Sequence, residues 1–146
     1  MQVIVDTNVL ISAVFFGGKP GRILEAWQQK KIEFVISTEI LAEYVDVLHR
    51  LSAKYPMVDV SQIITLIASF SLIVEARDLG EQVCEDPDDD KFMAAAIASS
   101  SNVIITGDAH LLDVSGYSGI EMIEPATFIE KYLSEQTNAA EQRPGK

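Results

Sequence analysis

Short β-branched runs alternate with longer segments of helical character along this chain. Apolar runs predict five strands, and each run is followed by residues whose apolar positions recur at helical spacing. The predicted strands are residues 3–5, 34–36, 72–74, 103–106 and 120–123. Strands that alternate with helices form parallel sheets covered on both faces. The sequence therefore predicts a three-layer α/β/α sandwich with a five-stranded parallel sheet.

Apolar periodicity and capping residues predict the helices between these strands. Ser37 or Thr38 opens one helix, and Asp86 followed by Pro87 opens another with acids in its first turn. We expect residues 9–16 to form a helix or turn that the following glycines and proline end, with 15–22 as a loop. The remaining predicted helices are 23–29, 38–51, 61–71, 86–99 and 126–133.

Length and composition restrict the class of protein. The 146 residues predict one domain, which we place at residues 1–135, followed by a polar segment, 136–146, that we expect to be mobile. The single cysteine, Cys84, excludes an intramolecular disulfide, and with two histidines it cannot complete a four-ligand zinc site. Because there is no secretory signal or membrane-length apolar run, we expect a cytoplasmic protein without membrane association.

Acidic residues dominate the charge of the chain and concentrate in one segment. With 22 acidic and 11 basic residues the formal net charge is −11, which repels a polyanion at long range. Residues 75–90 hold eight acids and one base, so this segment alone contributes −7. Carboxylates placed this closely repel one another, and a bound divalent cation would offset the repulsion.

Two candidate acids follow predicted strands directly. Asp6 comes after the first strand, and Asp108 follows the fourth strand across Gly107. In open parallel sheets, ligands bind beyond the carboxyl ends of the strands where strand order reverses. If the first and fourth strands are neighbours there, these two carboxylates meet. The alternative interpretation makes Asp6 a helix N-cap and Asp108 an ordinary turn residue.

Two further candidates lie on predicted helices. Glu43 is the acid nearest the apolar face of the helix at 38–51, although an isolated Glu there is also typical of a solvated flank. Among the acids that open the helix at 86–99, Asp90 aligns with the packed side, and Asp86 lies one turn earlier as an accessory ligand. Some of these acids serve as caps and complement the helix dipole, but four within five residues exceed what a cap needs.

Oxygen-rich clusters of this kind suit a hard divalent cation. Mg²⁺ and Mn²⁺ prefer carboxylate and water oxygens. Such a metal lowers the pKa of a bound water and stabilises charge that develops on a phosphate during phosphodiester attack. It also converts a site that repels phosphate into one that binds it, which answers the objection from net charge.

Four motifs in order resemble the PIN domain nucleases from residue 2 to about residue 133. They are VDTNVLIS at 5–12, STEILAEYVDVL at 37–48, DPDDDKFMAAAIA at 86–98 and VIITGDAHLL at 103–112. The resemblance implies the α/β/α fold, Mg²⁺- or Mn²⁺-dependent endoribonuclease activity on RNA, and an acidic quartet at the metal. By motif matching, the quartet is Asp6, Glu43, Asp90 and Asp108, although the third acid could be any of residues 88–90. The resemblance also implies that Asn8 and Thr106 orient the carboxylates or metal-bound water.

The nearest likeness is to toxin components of bacterial toxin–antitoxin systems. It implies an antitoxin protein as a possible partner and a homodimer as the assembly. Lys19 and Arg22 are candidates for holding RNA phosphates beside the metal, and a solvated turn is an equal alternative for either.

Three other functions fit parts of the pattern. An aspartate-nucleophile phosphatase also places an Asp after its first strand, but Asn8 occupies the position of its usual second Asp. A signalling receiver domain needs paired acids there and a Lys after the last strand, which EMIEPATF at 121–128 does not supply. The third alternative is a PIN-fold binding module with little catalysis, against which the complete quartet argues.

Overall fold

Five parallel strands pair side by side within residues 1–133, the part of the chain that the computed structural model describes. The result confirms the predicted sheet, and every predicted strand agrees with the observed one to within a residue at each end. In order across the sheet, the strands are β3 (Leu72–Val74), β2 (Glu33–Ser37), β1 (Gln2–Val5), β4 (Val103–Ile105) and β5 (Glu121–Ile123).

The central strand, β1, determines where the site lies. Its Val3, Ile4 and Val5 are buried, as expected for a parallel strand covered on both faces. It pairs with β2 on one side and with β4 on the other. Strand order therefore reverses between β1 and β4, and a crevice beyond their carboxyl ends is the expected ligand position. Asp6 and Thr106 are the first residues after these two strands.

Helices cover both faces of the sheet, which confirms the three-layer architecture. The first four helices pack against one another, and α5 lies across β1, β2, β3 and β4. Right-handed crossovers place α5 on the opposite face from the first four, because the chain reverses direction across the sheet after β3. The α-helices are α1 (Thr7–Phe15), α2 (Gly18–Gln28), α3 (Thr38–Ser52), α4 (Val60–Phe70), α5 (Asp90–Ser99), α6 (Ala109–Leu112) and α7 (Pro125–Phe128).

The glycine-rich segment after α1 is helical, so the prediction of a loop at 15–22 was wrong. Gly17 has φ +76°, which reverses the chain, and α2 begins at Gly18. Pro20 lies in the first turn, where backbone N–H groups lack helical partners, so its missing donor breaks no hydrogen bond. Lys19 and Arg22 consequently lie on a helix.

Short helical elements at other positions escaped prediction. They are α6 and the 3₁₀ turn Tyr117–Gly119. The 3₁₀ turn Pro87–Asp89 and the π-helical turn Ile129–Leu133, which continues α7, lie within the predicted helices 86–99 and 126–133. Within residues 1–133, no helix has the length and apolar content needed to cross a membrane. The predicted mobile segment, 136–146, lies outside the described residues.

Candidate active site

Asp6 joins the two central strands at the crevice. Its backbone N–H donates to the carbonyl of Ile105 at 2.9 Å, which extends the pairing of β1 with β4 by one residue. Although Asp6 precedes α1, its carboxylate makes no capping hydrogen bond of normal geometry. Instead Oδ2 accepts from the hydroxyl of Thr106 at 2.8 Å, and only 6% of the residue is exposed. The N-cap interpretation therefore does not account for this buried carboxylate.

Thr106 links Asp6 to Asp108. Its buried hydroxyl donates to Asp6 and accepts from the backbone N–H of Asp108 at 3.0 Å. Asp108 caps α6, where its Oδ1 accepts from the backbone N–H of His110 at 2.8 Å. The pairing of β1 with β4 thus brings the two predicted acids together, and Thr106 lies where it can orient both.

Glu43 reaches the same place from α3. Its Oε2 accepts from the hydroxyl of Thr7, the residue after Asp6, and its Oε1 accepts from the ammonium of Lys91 at 2.6 Å. The side chain is 24% exposed, so Glu43 lies at the rim of the buried surface. The sequence analysis did not predict a role for Thr7 or Lys91, although each directly follows a predicted acid in the sequence.

Asp90, predicted as the third acid of the quartet, holds the segment before α5 by two backbone hydrogen bonds. Its Oδ2 accepts from the backbone N–H of Val83 at 3.1 Å, and its Oδ1 accepts from that of Cys84 at 2.7 Å. Both oxygens therefore fasten the preceding segment to α5. Asp89, in the turn before α5, is partly buried, and the charges of the other candidate acids act on it. Burial, followed by the charges of Asp6, Asp86, Asp108 and Glu43, raises the pKa of Asp89 to about 6.

The local helix type affects the direction in which Asp89 points. Residues Pro87–Asp89 form a 3₁₀ turn before α5 begins, and such a turn advances about 120° per residue instead of 100°. An α-helical wheel therefore does not give the direction of Asp89, and the choice of the third acid among residues 88–90 stays a prediction. Asp86, predicted as an accessory ligand, is exposed and caps this turn, because its Oδ1 accepts from the backbone N–H of Asp88 at 3.0 Å.

Burial and neighbouring negative charge both act on the acids of the site. Burial is the largest cause that raises the pKa of Asp6, and the charges of Asp108 and Glu43 raise it further. The hydroxyl of Thr106 and the nearby backbone N–H of Asn8 lower it, without offsetting the rise. The side chain of Asn8 is exposed, so in this structure it is the backbone of that residue that acts on Asp6.

Comparison with known proteins identifies the family. The chain matches the family model described as PIN domain over residues 2–110. The chain belongs to the PIN domain family. An uncharacterized protein from Methanocaldococcus jannaschii is 35% identical over 144 residues, with 90% of this chain and 92% of that protein covered. The crystal structure of PAE2754 from Pyrobaculum aerophilum shares the fold, with a TM-score of 0.60 at 18% identity, covering 92% of this chain and 90% of that one.

Membership confirms the expected family and gives a general activity. PIN domains are generally nucleases, which are hydrolases, and they typically use divalent metal ions. Within residues 1–133, no three Asp, Glu, His or Cys side chains are already grouped as ligands around one point. In this arrangement Lys91 occupies one oxygen of Glu43.

The donor chemistry of this PIN domain nevertheless fits a hard divalent cation. The converging groups are carboxylates, the ligand type that Mg²⁺ and Mn²⁺ prefer. A positive charge is already accommodated among them, because the Lys91 ammonium contacts Glu43 within the cluster. The residues that would hold the cation are Asp6, Glu43, Asp89 and Asp108.

Lys19 and Arg22 lie away from these contacts, on the surface of α2. Both side chains are exposed, and no salt bridge with either was found within residues 1–133. Phe16, two residues before α2, is 65% exposed and packs edge-on against Tyr55. Aromatic and cationic side chains thus share this surface.

Proposed function

We propose that this PIN domain is a divalent-metal-dependent endoribonuclease that hydrolyses RNA phosphodiester bonds at Asp6, Glu43, Asp89 and Asp108. The observation that carries the proposal is the position of buried Asp6 at the reversal of strand order, where Thr106 bonds both to its carboxylate and to the backbone of Asp108. The raised pKa of Asp6 and of the partly buried Asp89 fits a cluster of like charge. Acids retained for stability alone gain cationic or hydrogen-bonding partners that lower their pKa. Acids that repel one another where the strand order reverses fit a site in which bound Mg²⁺ or Mn²⁺ offsets the repulsion.

The protein groups have distinct tasks in this proposal. Asp6 is the best-fixed ligand, because β1, β4 and the Thr106 hydroxyl all constrain it. Asp89, Asp108 and Glu43 complete the ligand set from three other elements. When bound, the cation supplies an activated water and stabilises charge that develops on the phosphate oxygens. Thr106 holds the Asp6 carboxylate by donating to it and fixes the backbone of Asp108 by accepting from its N–H, and hydrogen-bond partners of metal ligands commonly have such a task.

RNA cleavage with Mn²⁺, with Mg²⁺ and with EDTA tests the function, beside the variant Asp6→Asn prepared identically. Asn preserves the shape and still accepts the hydrogen bond from Thr106, but it removes one anionic ligand. We expect metal-dependent cutting by the parent and a loss of about 100-fold or more in the variant, since even outer-shell changes cost roughly 10- to 100-fold. Equal cutting by both proteins would contradict the site. No cutting by either would favour the binding-module alternative.

The substrate surface is proposed to include Lys19 and Arg22. Residues 7–24 contain no acid, so this part of a chain with net charge −11 is locally cationic. Both side chains are exposed on α2, where they can contact RNA phosphates. Replacing both with Ala should weaken single-stranded RNA binding and reduce the slope of log K against log salt by about 1 to 1.5.

The control for that experiment is the pair Lys30→Ala and Lys31→Ala. These lysines are also exposed, but they precede β2 and lie beside Met1 and Gln2 at the amino ends of the strands. The site is at the opposite edge of the sheet. A loss of RNA affinity as large in the control pair as in the α2 pair would show that only net charge matters.

We further propose that this nuclease is the toxin of a toxin–antitoxin pair, that it forms a homodimer, and that an antitoxin protein is its partner. The support is the order of its four motifs, which resembles toxin components. Induced expression should arrest growth with the parent and not with Asp6→Asn. Light scattering of the purified protein checks the dimer, and a monomer at all concentrations would reject it.

A further inference from the structure

Lys91 places a positive charge inside the acidic site. From the second residue of α5, its ammonium donates to Oε1 of Glu43 at 2.6 Å and to Oδ2 of Asp88 at 2.9 Å. The Lys91 side chain is 15% exposed, against 71% for Asp88, so its charge is held mainly within the protein. Burial alone would lower the pKa of Lys91, but the hydrogen bonds to Glu43 and Asp88 outweigh burial and raise it.

Glu43 has both carboxylate oxygens engaged while Lys91 stays in this position. Oε2 accepts from Thr7, which begins α1 and is fixed by the backbone next to Asp6. Oε1 accepts from Lys91, whose ammonium is at the end of a four-carbon side chain. A divalent cation and the ammonium are attracted to the same oxygen. The bond to Lys91 is therefore the one that a cation can replace without moving the backbone.

Carboxylates outside the cluster can receive Lys91 when it leaves Glu43. Asp88 already accepts a hydrogen bond from it. Glu39 lies one helical turn before Glu43 on α3, so the two share a helix face. The pKa of Glu39 is lowered by its own backbone N–H and, to a smaller extent, by the charge of Lys91. A cleft of about 590 Å³ lined by Glu39 and Lys91 provides the space for this movement.

We propose that Lys91 is the resident counter-cation of the site, which neutralises Glu43 until a divalent cation displaces it toward Asp88 and Glu39. The inference rests on the proposed metal-dependent function. Without metal, Lys91 offsets part of the repulsion among the acids. It also weakens metal binding, because every binding event must break its hydrogen bond to Glu43.

Amine-labelling mass spectrometry on the parent protein tests the displacement directly. Lys91 should be labelled slowly without metal and several-fold faster when Mn²⁺ saturates the protein, because its ammonium becomes exposed. Lys54, which is already exposed, is the internal reference and should not change. Unchanged or slower labelling of Lys91 with Mn²⁺ bound would overturn the inference. Calorimetry in parallel measures Mn²⁺ binding: if the parent binds none, the proposed metal site fails as well, whereas binding without release overturns only the role of Lys91.

Variants at Lys91 test the competition for Glu43. Lys91→Met should lower the Kd for Mn²⁺ about five- to tenfold, since it removes a partly buried ion pair, and should lower the metal-free Tm. Lys91→Arg keeps the charge and should stay near the parent. Arg77→Met is the control for net charge, because Arg77 lines the same cleft and has no described contact with Glu43. If Lys91→Met binds Mn²⁺ no more tightly than Arg77→Met, the competition does not exist. If Lys91→Met fails to fold, the labelling of the parent decides.

Discussion

Acids at two places on the sheet have pKa values shifted in opposite directions. On β5, the two oxygens of Glu121 accept from Lys131 at 2.8 Å and from Tyr132 at 2.6 Å, and these partners lower the pKa of Glu121. At the carboxyl ends of β1 and β4, burial and neighbouring carboxylates raise the pKa of Asp6 and Asp89. The first acid has the partners that a structural role requires. Asp6 and Asp89 lack enough positive charge nearby to offset their neighbouring carboxylates, and a bound metal cation would supply that charge.

The adjacent residues Asp89 and Asp90 provide the largest test of this difference. Asp89→Asn removes a ligand and a repelling charge, so it should reduce metal-dependent RNA cleavage about 100-fold while leaving the metal-free protein at least as stable. Asp90→Asn should do the reverse. It loses one acceptor for the backbone N–H groups of Val83 and Cys84, which costs about 1–2 kcal/mol of unfolding free energy.

Cleavage rates and urea unfolding of the two variants measure both effects. We expect Asp90→Asn to keep cleavage within about tenfold of the parent, because both oxygens of the Asp90 carboxylate are already bonded to the segment before α5. A variant ranking in which Asp90→Asn is inactive and Asp89→Asn is active would restore the assignment made from the helical wheel.

The same contrast shows what the sequence can predict. The five strands follow from β-branched runs, and the meeting of Asp6 with Asp108 follows from their positions after two central strands. These predictions depend on local pattern and on topology, which the sequence carries. The choice between Asp89 and Asp90 depends on a 3₁₀ turn of three residues and on a loop that packs back against α5. Neither the turn nor the loop produces a periodic pattern in the sequence.

Lys91 illustrates a different kind of omission. Its spacing from Asp88 is visible as an i,i+3 pair of opposite charge, which is ordinarily a surface contact of small energetic effect. Its second partner, Glu43, lies 48 residues away on α3. Only the packing of α3 near α5 brings Glu43 to Lys91, so the ion pair with Asp88 alone does not reveal that this cation lies within the site.

Stability as a function of pH should differ in sign between the two regions. The folded pKa of Asp89, about 6, exceeds its ordinary value of 3.8, so the folded state binds the extra proton. Without metal, lowering the pH from 7 to 5 should therefore stabilise the parent relative to Asp89→Asn. Because Asp89 is partly exposed, the expected gain is about 1 kcal/mol after solvent screening.

Urea unfolding in EDTA at several pH values measures this difference. Subtracting the Asp89→Asn curve from that of the parent cancels contributions from groups common to both. A difference that does not change between pH 7 and 5 would show that Asp89 has an ordinary pKa, and would remove the repulsion on which the metal site is argued.

The smallest effect is expected at Glu121. Its folded pKa is lowered below 4.5, so its stabilisation is fully present above that pH and is lost as the pH falls through the lowered value. Glu121→Gln should therefore cost a constant amount between pH 5 and 7, about 0.5 kcal/mol for an ion pair near the surface. Cleavage and Mn²⁺ binding should not change. A loss of metal affinity in this variant would mean that the two acidic regions are coupled through β5 and β4, and that the contrast between them is not a separation of structural from metal-binding acids.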